Sequence, residues 1–139
     1  MRLWHQSLLS YLPKSQLLAQ WRELNSIFAK EDRHILINYI YDYPKDDLFA
    51  YTQFVLKEMR KRNINIRTVD KMERYFEGHS YIAITNPFEH HHNEEYLEIC
   101  FFNLKEKFMR GQKDFQPEQY ESLLALYKIM VNEHNTISF

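Results

Sequence analysis

The stretch KSQLLAQWRELNSIFA, residues 14–29, carries Leu17, Leu18, Trp21, Leu24 and Phe28 at three- and four-residue steps. That spacing lays five apolar side chains along one face of a helix. Pro13 stands immediately before the run, where its missing N–H costs a helix nothing. The spacing predicts a first helix over Lys14–Ala29 with one face in a core. The charged pair Arg22-Glu23 interrupts it. Glu23 lies off the centre of the apolar stripe, one turn after Ala19 and Gln20, so it can reach a site at the edge of the core.

The same period extends through most of the chain. RHILINYIYDY, residues 33–43, is short and β-branched, and is expected to be helical up to Pro44, which disfavours helix at Tyr43. Asp46 and Asp47 supply an acidic start for a third helix, whose stripe of Leu48, Tyr51, Thr52, Val55 and Met59 runs to about Asn63. Thr68 can cap a short fourth helix that closes at Gly78. GHSYIAITNPFEHHH, residues 78–92, breaks the pattern and reads as a surface loop. A long helix is expected from Asn93 to Arg110, with Tyr96, Ile99, Cys100, Asn103, Leu104 and Phe108 on its face and Gly111 at its end. Pro117 opens a last helix bearing Tyr120, Leu123, Leu124, Tyr127 and Met130. There is no internal repeat and no linker. The expected fold is all-α, one compact domain over residues 1–139 with five or six helices.

Composition agrees. Hydrophobic residues make up 45% of the 139 and aromatics 16%, enough for a core, while 2 Gly and 4 Pro disfavour a loop-rich or all-β domain. The lone Cys100 excludes an intrachain disulfide and suits a reducing compartment. No apolar run approaches a membrane span. Leu3–Leu12 is interrupted by His5, Gln6, Ser7 and Ser10, which makes a poor signal-peptide core. The chain is expected to be soluble, cytoplasmic and free of membrane.

The net charge of −1 conceals an asymmetry. Residues 1–75 hold 13 Lys and Arg against 9 Asp and Glu, and residues 76–139 hold 5 against 10. The basic part is densest in KEMRKRNINIR, where Lys57, Arg60, Lys61, Arg62 and Arg67 crowd the end of the third helix. Cations there favour the negative end of a helix dipole, or they contact phosphates; both readings stand.

Other chemistries find little support. His90, His91 and His92 are consecutive, so they point in different directions, and His91 with Glu95 supplies only two ligands at helical spacing; a polar loop or helix start outweighs a metal site. Cys100 falls on an apolar face, where a buried, inert thiol is expected. The chain has no glycine-rich phosphate loop and no Gly-x-Ser-x-Gly elbow. An unperturbed α-amine, by contrast, has a pKa of about 7.7–8.0 against about 10.4 for lysine, so at neutral pH part of it is already an uncharged nucleophile. Such an amine beside one carboxylate can attack a sugar C1′, form a Schiff base and shuttle protons.

QLLAQWREL, residues 16–24, with its approach MRLWHQSLLSYLP, resembles the opening of the pyrimidine dimer DNA glycosylase family, the phage-type endonuclease V enzymes. KRNINI, residues 61–66, is similar to a second family segment. The likeness covers residues 1–29 and, more loosely, 46–67. It implies a compact helical enzyme that excises ultraviolet-induced pyrimidine dimers from double-stranded DNA, without metal or organic cofactor, as a monomer. It implies an N-terminal α-amine that attacks C1′ of the dimer's 5′ nucleotide, with β-elimination nicking the strand. Because Arg2 blocks removal of the initiator residue, the amine would be that of Met1. Glu23 matches the family's essential glutamate, and Arg2 and Arg22 match basic residues near the lesion. Gln16 occupies the place of a helix-start histidine, and Arg60, Lys61 and Arg62 would hold DNA. The basic, aromatic tail of the phage enzymes has no counterpart in NEHNTISF, residues 132–139. Two other readings stay open: a catalytically silent nucleic-acid-binding or protein-interaction module of the same fold, and a small-molecule hydrolase or lyase with the same amine and carboxylate.

Overall fold

The computed structural model describes residues 2–137, with side chains for residues 2–130. Among these, five α-helices and two short 3-10 helices account for the regular structure, and there is no strand. The chain starts irregularly, passes through a 3-10 helix at Gln6–Tyr11 and enters α1, Lys14–Lys30. Leu17, Leu24, Ile27 and Phe28 of α1 are buried, as the spacing requires, and the helix stops where Glu31 turns left-handed at φ 48°. α2 spans Lys45–Lys61, α3 Asp70–Tyr75, α4 Glu94–Met109 and α5 Pro117–Ile137.

α1 packs against α2 and α3, and α4 against α5. The first 3-10 helix touches α2, α4 and α5, so residues 6–11 join the two groups. That central position suits its Leu8 and Leu9 and the flanking Leu3 and Leu12, all within the core together with Tyr51, Val55, Phe88, Cys100, Leu104 and Leu123.

Four local expectations need correction. Residues 33–43 form no α-helix; only Asn38–Asp42 coils, as 3-10. Ile37 and Ile40 are buried but Ile35 is 85% exposed, so no continuous apolar face exists to stabilise a longer helix. Asp46 and Asp47 stand in the first turn of α2 as expected, but no side chain caps it. Instead they accept the backbone N–H groups of Ile82 and Phe88, at 2.9 and 2.8 Å, and so staple the following loop. That loop is therefore not superficial throughout, since Phe88 is wholly buried and His92 is 5% exposed. Finally, α4 is rotated from its expected face. Leu97 and Phe101 are buried with Cys100 and Leu104, whereas Ile99 is 44% exposed and Asn103 bonds back to the Ile99 carbonyl at 2.9 Å. Phe101 stacking on Tyr127, 4.0 Å between centroids, accounts for that choice of face.

Elsewhere the termini follow expectation in part: α3 stops at Tyr75, short of Gly78, and its N-cap residue is Val69, one beyond Thr68. Thr68 Oγ1 accepts the Asp70 N–H at 3.1 Å, and Asn93 caps α4 by accepting from Tyr96 N–H at 3.0 Å. Gly78 and Gly111 both take positive φ, 79° and 82°, where a side chain would be strained.

Candidate active site around Glu23

Residues 2–4 have no regular structure, so their backbone polar groups need partners from side chains. Gln20 supplies most of them. Its side chain is buried at 1% exposure on the α1 face toward the N-terminal segment. Its Oε1 accepts the Trp4 N–H at 2.8 Å, and its Nε2 donates to the Arg2 carbonyl at 3.0 Å and to Glu23 Oε2 at 2.9 Å. The fully buried Tyr51 of α2 points its hydroxyl at the Trp4 carbonyl, 2.6 Å away, and at Gln20 Oε1, 2.8 Å away. Tyr96 of α4 donates to the Leu3 carbonyl. Three helices thus grip three residues, and one of the gripping groups passes directly to Glu23.

Glu23 itself is half-buried. Burial raises its carboxyl above the ordinary value; the positive charge of the chain N-terminus, the Arg2 backbone N–H, Arg22 and Gln20 pull it back down. Met1, the expected nucleophile, lies outside the described residues. Arg2 is half-buried, with its guanidinium 5.9 Å from the Tyr96 ring centre, and Arg22 is exposed. Gln16, one turn before Gln20, reaches across to Gln112 at 3.3 Å.

A histidine pair supports the other side of the segment. His5 Nδ1 accepts the Ser7 N–H at 3.1 Å and so caps the first 3-10 helix. Its ring stacks on His92, 5.8 Å between centroids. His92 is bonded to Tyr39 through Nε2 and to Gln6 Oε1 through Nδ1, the latter at 3.0 Å. Burial pushes His5 down to about 4. Burial, then the nearby His5 and His91, push His92 down to about 3. Both are neutral at pH 7. The histidine triplet divides, for His91 Nδ1 meets Tyr43 at 2.6 Å while His92 turns inward. Among the described residues no cluster of three His, Cys, Asp or Glu could hold a metal ion. Cys100 is fully buried and its thiol is raised by that burial, as expected of an inert core residue.

The basic run divides as well. Arg62 donates to the carbonyls of Leu12, Ser10 and Leu9 at 2.7, 3.1 and 3.3 Å and pairs with Glu58 at 3.7 Å. It is a clamp on the far end of the first 3-10 helix. Arg60 and Lys61 remain exposed. Lys57 and Lys61 border an open cavity of about 500 Å³ whose floor includes His5, Ser10 and Phe54. Glu23 does not line it. The structure therefore brings Arg2, Gln20 and Glu23 together directly. It ties Arg62 to the same segment seven or more residues further on, and leaves Arg60 and Lys61 exposed. Nothing in the sequence pattern marks Gln20, Tyr51, Tyr96 or His92 as partners of this segment.

The sequence model of the pyrimidine dimer DNA glycosylase family matches residues 1–72, just over half of the chain. The chain belongs to this family. The matched stretch contains the first 3-10 helix, α1 and α2, and with them Arg2, Gln20, Glu23, Tyr51 and Arg62. It ends inside α3, so Tyr96 and His92, which brace the site from the far side, lie beyond it. No curated protein and no solved structure shows significant similarity to the chain. Membership of the pyrimidine dimer glycosylase family thus rests on the half of the chain that builds the Glu23 site.

Proposed function

We propose that the protein is a DNA glycosylase and abasic-site lyase that acts through the Met1 α-amine, with Glu23 as the essential carboxylate. It works on double-stranded DNA as a monomer, with residues 1–139 as one domain. Family membership supports the substrate class. The observation that carries the mechanism is the hydrogen-bonded path from the Arg2 carbonyl through Gln20 to Glu23, because it fixes a half-buried carboxylate beside the start of the chain.

The uncharged amine attacks C1′ of the 5′ nucleotide in the dimer. The glycosidic bond breaks, and its electron pair leaves with the pyrimidine. The sugar ring opens and a protonated C1′=N Schiff base forms. Glu23 stabilises the cationic sugar and relays protons to and from the ring oxygen. Loss of a C2′ proton then expels the 3′ phosphate by β-elimination, which nicks the strand. Water hydrolyses the imine and frees the amine. Arg2 and Arg22 supply positive charge beside the reacting strand.

Incision of ultraviolet-irradiated duplex and of a duplex with one abasic site tests the proposal. Wild-type protein with a native N-terminus is expected to nick both. Cleavage of neither would overturn it.

A further inference from the structure

We propose that Gln20 is a positioning residue for this reaction, acting through the N-terminal segment and Glu23 without touching DNA. The proposal rests on the glycosylase/lyase reading above. Its warrant is the division of labour within one amide. Oε1 faces inward, to the Trp4 N–H and the Tyr51 hydroxyl; Nε2 faces outward, to the Arg2 carbonyl and to Glu23. An amide that only filled the core would not need both outward bonds. Both outward partners belong to the reacting apparatus. One is the backbone a single residue from the nucleophile, and the other is the carboxylate. A single planar group thus holds the Arg2 backbone against the Glu23 carboxylate, and its inward oxygen accepts from the Trp4 N–H and faces the Tyr51 hydroxyl. At 1% exposure it cannot itself contact substrate.

Tyr51 is the brace behind it. Its one proton serves either the Trp4 carbonyl or Gln20 Oε1, so the hydroxyl ties the segment to α2 in one arrangement and the amide to α2 in the other. The groups facing Glu23 are the N-terminal charge, Arg22, the Arg2 backbone, Gln20 and, more remotely, the Tyr51 hydroxyl.

Gln20→Glu separates the two sides. The shape is kept, and the new carboxylate still accepts from Trp4 and Tyr51. The donor to Arg2 and Glu23 is lost, and a second carboxylate now adjoins the first. Single-turnover nicking of abasic duplex is expected to slow by about 10²-fold, the scale on which a misplacement of about 1 Å acts. Affinity for duplex bearing a non-cleavable abasic analogue should stay within about 3-fold of wild type, since no DNA contact has changed. The acid limb of the pH–rate profile should move to higher pH, because adjacent carboxylates share a proton. Tyr51→Phe, which keeps the ring and its packing, should slow nicking in the same direction by a smaller factor with affinity unchanged. An active wild type alongside Gln20→Glu and Tyr51→Phe variants of wild-type rate and unmoved acid limb would overturn the positioning role alone. A wild type that nicks nothing overturns the glycosylase/lyase reading and the positioning role with it.

Discussion

The two ends of the N-terminal segment are held by the same device and put to different use. At residues 2–4 the backbone is gripped by Gln20, Tyr51 and Tyr96; at residues 9–12 it is gripped by Arg62. The first device satisfies backbone groups that belong to no helix or strand, and the second adds donors to carbonyls at the end of the 3-10 helix. At the first end the gripping amide has a donor contact left for Glu23. At the second, the guanidinium spends itself on three carbonyls and Glu58. Sequence marked Glu23 and Arg62 alike as charged residues of functional interest. Burial and partners distinguish them: the half-buried Glu23 carboxylate meets the Gln20 amide, whereas Arg62 closes on the backbone of residues 9–12.

Glu23→Gln should break the first end most severely. If the carboxylate acts in acid–base chemistry and stabilises the cationic sugar, nicking should slow by roughly 10²–10⁴-fold. Binding to damaged duplex should persist, and stability should shift by less than about 1 kcal/mol, since a glutamine can still meet Gln20. Nicking at the wild-type rate would remove Glu23 from the mechanism.

Acid acts on the histidines that hold the segment between its ends. His5 and His92 are depressed in the folded protein to about 4 and about 3, below an unfolded value of about 6.5. As pH falls below about 6.5 the unfolded chain takes up protons first, so stability drops with acidification and stops responding to each histidine below its folded value. The slope approaches roughly 1.4 kcal/mol per pH unit for each histidine across that window. Urea midpoints at pH 7, 6 and 5 should fall in sequence, whereas identical midpoints would contradict a neutral, buried pair.

Arg62→Ala tests the second end. Three carbonyls lose their donor, and the expected loss is about 1–3 kcal/mol. Urea unfolding should show a lower midpoint with an unchanged slope. A midpoint equal to wild type would show that the clamp contributes nothing.

The smallest effect on stability should come from the exposed neighbours. Arg60→Ala with Lys61→Ala should change stability by less than about 0.5 kcal/mol at each position. If these residues contact phosphates, the salt slope of DNA binding should flatten by about 2 charges' worth for the pair. A slope identical to wild type places the cluster away from DNA.

Much of the fold was legible because apolar spacing is dense in α1 and α2, where nearly every third or fourth residue is Leu, Val or aromatic. α4 misled because both of its faces carry large apolar residues, and packing on Tyr127 chose between them. The loop over residues 78–92 misled for the opposite reason. Phe88 and His92 enter the core without periodicity, held by Asp47 and Tyr39 from distant positions. At the site, Glu23 and Arg2 were legible through family resemblance and chain position. Gln20 was not, because an amide on an apolar stripe resembles a tolerated surface residue. Tyr51 was hidden among ten tyrosines with equal claims. Their roles depend on where residues 2–4 lie, which no local pattern encodes.

Borohydride trapping on abasic duplex, followed by mass-spectrometric mapping of the adduct, tests most directly whether the first amine of the chain is the nucleophile. A reduced covalent adduct on the Met1 amine is expected, lost when the N-terminus is acetylated or extended by a tag. A reduced adduct on a lysine, or wild-type protein that nicks abasic duplex and leaves no adduct at all, would contradict it.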